Sequence, residues 1–423
     1  MPEARHHGTV TQAMNIFYSN QLENHPLKRP LVLLALMLAI AFVFTTSMGG
    51  VGRDGNLVEQ DFRYLAAAGH AWARGLNPYV VAELDKASQD YFAPQGYEAE
   101  LKYPLFYPPN IAALGVGLAM LPPRTSALTL AFVNILACLM LAVSALHLVY
   151  LSAREAAISP PTWMYAALAA LIAGNPANSH SIWMGQTSLL ATAFAAAGLM
   201  LVLCHRSRVL GPLGICLACI KPQIALGALV IGLRKTPYTL ILAGMVVYLA
   251  MSLPTMTAHG ILQPPLDWLN AIGGYRDHTY AESTFRHFFG LQSLLAALGL
   301  PHRWSPVIGI ALLALLTVAA PRLMPVEVTA LAIAIPTLFI QGHDYSLMAV
   351  FMLYACVPVQ AANRPTLALA ATCLVLVMCI PLRLVLSLGL PEIVGRYREI
   401  AALGLFGLTA IGAFRTWARS PSA

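Results

Sequence analysis

A carboxylate, an isolated lysine and a histidine stand where apolar sequence gives way to polar. Asp61 follows closely on the uncharged run Leu31 to Val51, within Glu59-Gln60-Asp61-Phe62-Arg63. A carboxylate at a membrane mouth can take the proton of an attacking hydroxyl, or simply cap a helix on an exposed loop. Lys221 is the basic residue set deepest in an apolar stretch, and Pro222 behind it breaks the helix. An ammonium there needs an anion or a wet cavity; it either holds a phosphate as a point charge or snorkels to the interface. Gln341-Gly342-His343-Asp344-Tyr345 interrupts two apolar runs without a spacer. Four hydrogen-bonding side chains in five residues suit a wet site, with His343 donating to a phosphate or a sugar hydroxyl, or a turn with Asp344 as cap. Asn175-Pro176-Ala177-Asn178-Ser179-His180 and Trp183-Met184-Gly185-Gln186 form another polar break. Asn178 and Gln186 offer paired donors and acceptors to a sugar and Trp183 a stacking face, or they cap helices. Arg276, Arg286 and His287, in the long segment 258–303, are either ligands for an anionic headgroup or solvated loop residues, and Arg383 also lies near a membrane boundary.

The elements that position these residues follow from composition. The chain has 423 residues, 58% hydrophobic and 10% charged, with a mean hydropathy of +0.68. Soluble domains carry about 25% charge. The apolar runs approach the roughly 20 residues that cross hydrocarbon, and the alternating segments of a β-barrel are absent. The expected class is all-α, a polytopic integral membrane protein. A net charge of +7 does not signal nucleic acid, because the basic residues sit in short loops as topology signals do. The seven cysteines lie in or beside apolar runs, and Cys216-x-x-Cys219 has no second ligand pair nearby. They read as small packed side chains.

Thirteen apolar runs raise a question of parity. If all cross, His205-Arg206-Ser207-Arg208 falls on the side opposite Lys28-Arg29, against the rule that basic loops stay inside. Run 105–121 is bounded by Tyr107-Pro108-Pro109 and Pro122-Pro123, which suits a short interfacial helix. Removing it leaves about twelve crossings, both termini cytoplasmic and residues 1–30 as a cytoplasmic segment ahead of an uncleaved first helix. Segments 52–125 and 258–303 become the large external loops of one domain spanning 1–423. Asp61 to Arg74 is expected to be an amphipathic helix along the membrane surface, with Asp61 as N-cap, Gly75 as C-cap and Pro78 as stop.

Asp61-Phe62 with Tyr64, Gly75-x-x-Pro78-Tyr79, Tyr107-Pro108-Pro109, Gly185-Gln186, Lys221-Pro222-Gln223 and His343-Asp344-Tyr345 occur in an order that resembles glycosyltransferase family 87. That family belongs to the GT-C superfamily and includes polyprenol-phosphate-mannose-dependent α-mannosyltransferases and an arabinofuranosyltransferase of actinobacterial envelopes. The resemblance covers most of the chain. It implies a GT-C-type fold with juxtamembrane helices in the external loops, and transfer of a hexose, most simply mannose, from a polyprenyl-phosphate-sugar to a glycolipid or glycan acceptor. Asp61 then matches the catalytic carboxylate of the first external loop. Lys221 and His343 match positions expected near the donor phosphate. Arg286 is a further candidate for that phosphate, and Glu59, Gln186, Asn178, Asp344, Tyr107 and His287 are candidates for binding the sugar or acceptor. Many GT-C enzymes show an acidic pair or metal-binding set at this place, whereas here Glu59 and Asp61 are the only near pair; the expectation is metal-independent chemistry without a cofactor. Asp61 as base and cations at the leaving phosphate would give direct displacement with inversion. The expected location is a bacterial inner membrane, with the site on the extracytoplasmic side among membrane lipids. An arabinofuranosyltransferase is one alternative. A transporter or flippase of a lipid-linked precursor is another, although transporters favour midplane charges and inverted repeats.

Overall fold

A computed structural model describes residues 25–51, 60–281, 288–340, 342–343, 346–381, 385, 387, 394 and 396–419. Helices make up nearly all of it. In chain order they are α1 (Pro30–Val51), α2 (Gln60–Ala73), α3 (Val81–Phe92), α4 (Ala112–Ala119), α5 (Pro123–Glu155), α6 (Thr162–Ala173), α7 (Pro176–Trp183), α8 (Ser188–Leu203), α9 (Leu210–Leu217), α10 (Pro222–Lys235), α11 (Pro237–His259), α12 (Gln263–Ala281), α13 (Leu291–Ala297), α14 (Trp304–Ala319), α15 (Pro325–Ile335), α16 (Leu347–Phe351), α17 (Val357–Gln360), α18 (Pro365–Cys379) and α19 (Tyr397–Arg419). Prolines open many of them, where a missing N–H is harmless and the fixed φ suits the first turn.

Among the described residues five helices are long and apolar enough to cross a membrane: Pro30–Met48, Pro123–Glu155, Pro237–His259, Trp304–Arg322 and Tyr397–Ala418. About twelve full-length spans were expected, and the difference has a physical cause. Apolar composition does not fix where a helix begins and ends. The run 326–340 lies in one continuous helix, Pro325–Ile340, which closes in a π turn at Pro336–Ile340 and is too short for a full span. Leu210–Ile220 and α10 are separated at Lys221-Pro222. The run 105–121 holds only an apolar helix of Pro109–Ala119, too short for a span.

Two apolar cores organise the molecule. The larger joins α1, α5 to α11 and α14 to α19. The smaller fills a cap built from α2, α3 and α4, around Phe62, Leu65, Trp72, Tyr91, Phe92 and Leu105. Helix α2 was expected to lie along the membrane surface. Within the cap, Phe62, Leu65, Ala66, Ala67, Ala68 and Ala71 of this helix are all buried. It crosses α4 where Gly69 meets Gly115, so closely that a Cβ on Gly69 would stand 1.9 Å from the Gly115 carbonyl oxygen. Gly75, at φ +72°, ends the helix in the left-handed conformation expected of it. Segments 52–125 and 258–303 meet here. Asn77 Nδ2 donates to Asp267 (2.8 Å), and the Trp268 indole donates to the Phe106 carbonyl (3.0 Å).

Opposite the cap, the basic loops gather. His25 Nε2 lies 2.9 Å from His147 Nδ1, and His147 Nε2 lies 3.0 Å from His205 Nε2. Arg29 donates to Thr162 (3.0 Å), and Ser152 near the end of α5 accepts from the Val326 N–H at the start of α15. Lys28-Arg29, Arg154 and His205 therefore share one end of the bundle.

Candidate active site

The candidate site forms where the cap rests on the bundle. Asp61 stands in the first turn of α2, one residue inside the helix rather than at its cap. Helix α2 is fixed there by the Phe62 N–H, which donates to the Met184 carbonyl (3.2 Å). Residue 185 must be glycine for two reasons. Its φ is +68°, and a Cβ would lie 2.5 Å from the Phe62 Cβ. This turn closes α7 and delivers Gln186, whose own N–H donates to the Ser181 carbonyl (2.9 Å).

Lys221 arrives from the other side. A residue before proline avoids the helical region, and Lys221 accordingly has φ −131° and ψ 87° between the 3-10 turn Ala218–Ile220 and α10. It is only 5% exposed. Its ammonium donates to Gln186 Oε1 and to Ser188 Oγ, both at 2.5 Å. The buried Tyr107 hydroxyl donates to the same Gln186 oxygen (2.8 Å), and the Tyr107 ring lies 5.6 Å from the ammonium. Tyr79 donates to the Tyr107 carbonyl (3.0 Å), and Asn134 of α5 donates to the Gln186 carbonyl (3.0 Å).

Gln186 is the bridge. Its amide also hydrogen-bonds the Asp61 carboxyl. An amide has an acceptor on one arm and donors on the other, so it satisfies the ammonium and phenol with its oxygen while serving the carboxylate. Burial pushes the Asp61 carboxyl above its ordinary value, and the Lys221 charge and the Gln186 bond oppose that rise. Burial, then the Asp61 charge, raise the Tyr107 phenol, which stays protonated as a donor. Burial pushes the Lys221 ammonium down to about 7, and the Asp61 charge opposes that fall. A half-buried carboxylate beside this lysine is suited to accepting a proton from a substrate hydroxyl.

Of the residues singled out in the sequence, Asp61, Gln186, Tyr107 and Lys221 come together. Asn178 does not join them. Its Nδ2 donates to the carbonyls of Ile172 and Ala173, each at 2.8 Å, and to Cys138 Sγ (3.3 Å), so it ties α7 to the end of α6. His343 lies on a two-residue strand β2 (Gly342–His343), paired antiparallel with β1 (Phe288–Phe289), His343 opposite Phe288. Glu59, Arg286, His287, Gln341, Asp344 and Arg383 lie outside the described residues. Arg63 turns to Glu98 (3.3 Å). Two members went unnoticed in the sequence. Asn134, an amide alone in an apolar helix, was the detectable signal; Ser188 gave none. Among the described residues no group of His, Cys, Asp or Glu is arranged to hold a metal.

The family model of glycosyltransferase family 87 matches residues 105–341, more than half of the chain. The chain belongs to glycosyltransferase family 87. No curated protein matches it significantly. The family 87 segment contains Tyr107, Asn134, Gln186, Ser188 and Lys221, whereas Asp61 precedes it. Family membership thus carries sugar transfer as the general activity of a helical membrane protein, and the role of Asp61 rests on its place beside Gln186 and Lys221.

Proposed function

We propose that this family 87 member moves a hexose, most simply mannose, from a polyprenyl-phosphate-sugar to a hydroxyl of a glycolipid or glycan, on the extracytoplasmic face of a bacterial inner membrane. Asp61 is the general base. It takes the proton of the attacking hydroxyl as the sugar–phosphate bond breaks on the opposite face of the anomeric carbon, and the product is inverted. The observation that carries this reading is the Asp61–Gln186–Lys221 chain at the seam between cap and bundle. Lys221 was expected at the donor phosphate. Its burial and its bonds to Gln186 and Ser188 favour another role, in which its charge keeps Asp61 ionised. The leaving phosphate then falls to His343 and the basic residues of segment 258–303. The proposed topology keeps the basic loops cytoplasmic, with the short apolar helices making broken crossings beside the five long ones.

The test is transfer from labelled polyprenyl-phosphate sugars in membranes containing the full chain. The expected result is a glycosidic product with the native protein and a loss of about a hundredfold or more in Asp61→Asn at unchanged protein level. Equal turnover in the variant removes Asp61 from the base role. Movement of the labelled precursor across the membrane without a product replaces the transferase reading by transport.

A further inference from the structure

A second site lies at the other end of the bundle. A cavity of about 890 Å³ opens between α5, α15, α17, α18 and α19, within the roughly 300–1,000 Å³ of small-molecule sites. It is remote from Asp61. Asn134 touches Gln186, Glu155 lines the cavity, and the helix between them rises about 30 Å.

Three arginines reach this cavity from three separate elements: Arg322 from the turn after α14, Arg364 from the start of α18 and Arg415 from α19. Arg322 lies against the Trp417 ring (5.6 Å). Arg364 and Arg415 are exposed, and neither side chain has an ion pair or hydrogen bond among the described residues. Glu155 is the one carboxylate of the lining, so the charge is net positive. The inner wall is built rather than accidental. Buried Glu327 accepts from Gln360 Nε2 (2.7 Å), Thr416 Oγ1 (3.1 Å) and the Met324 N–H (3.1 Å), which locks α15, α17 and α19 together. Gln360 and Thr416 face the cavity, and Leu367, Leu408 and Ile411 give it an apolar side.

A soluble anion would use the arginines and leave that apolar side wet. An amphiphile uses both. We infer that the cavity holds an anionic phospholipid, its phosphate among Arg322, Arg364 and Arg415 and an acyl chain along Leu367, Leu408 and Ile411. Basic pockets between membrane helices bind such headgroups through the same pairing of charge and apolar contact.

Native mass spectrometry of the full chain in mild detergent tests this with phosphatidylglycerol, phosphatidylcholine and inorganic phosphate as probes. The native protein should retain phosphatidylglycerol in preference to phosphatidylcholine. The double variant R364Q/R415Q should lose about tenfold or more of that retention, R364K/R415K should keep most of it, and R206Q/R208Q, away from the cavity, should behave as native. Inorganic phosphate should fail to displace the lipid. Retention unchanged in R364Q/R415Q, equal retention of the two lipids, or an equal loss in R206Q/R208Q overturns the inference. Displacement by inorganic phosphate also overturns it and identifies a soluble-anion site instead.

Discussion

At the residue scale, the proposed chemistry depends on a carboxylate and an ammonium that share one amide. Because burial raises the Asp61 carboxyl, a base mechanism should show an acidic limb in kcat/KM above the ordinary carboxylate range, activity rising with pH as the proton leaves. Asp61→Asn should abolish that limb along with the rate. Lys221→Gln removes the charge that opposes the rise, so the limb should move to higher pH. A lysine acting directly on the donor phosphate would instead raise KM for the donor and leave the limb in place. Measuring both parameters in the one variant separates the roles. Several of these residues were legible as sequence: Lys221 and Gln186 because polar groups that break apolar sequence must be explained, Asp61 because it follows closely on an apolar span, and Tyr107 through the Tyr107-Pro108-Pro109 motif. Asn178 shows the limit. An amide at a helix break looks the same whether it serves a ligand or the carbonyls of Ile172 and Ala173. Ser188 gave no signal, since a small hydroxyl at a helix start is ordinary.

At the element scale, glycines set the geometry. Gly69→Ala puts a methyl into the Gly115 backbone, and overpacking of this kind destabilises by about 1–3 kcal/mol. Gly117→Ala, on the same short helix α4, meets nothing within 4 Å and should leave thermal unfolding unchanged. Gly185→Ala combines a left-handed φ with a clash on Phe62. It should displace Asp61 from Gln186 and lower kcat by about tenfold or more, the scale at which small misplacements act. A Gly185→Ala enzyme with native kcat would show that the α7 turn does not position the base. Helix ends were legible wherever proline or glycine marked them, as at Gly75 and Lys221-Pro222. The burial of α2 was not, because a half-apolar helix suits a membrane surface and a covering element equally. The close crossing of Gly69 and Gly115 packs the helix into the cap.

At the scale of the whole molecule, the helical membrane class was evident from composition alone. The number of full-length spans was not, since hydropathy does not mark where a helix stops, as it does at Lys221-Pro222. The gathering of Lys28-Arg29, Arg154 and His205 at one end argues for that end being cytoplasmic. Cysteine substitutions at Ser207 and Glu98 should therefore differ in right-side-out vesicles. A membrane-impermeant thiol reagent is expected to label Glu98→Cys above the native background and to reach Ser207→Cys only after lysis. Labelling of both from outside would refute the sidedness.

Ile220 and Ile224 flank Lys221 and belong to the cap's core, not to the bundle's. The cation's anchorage therefore shares the fate of the smaller layer. Warming should first loosen this lid and scatter the proton-accepting ensemble, while the long spans keep their helicity. Such a protein would fall silent well before its circular dichroism changed.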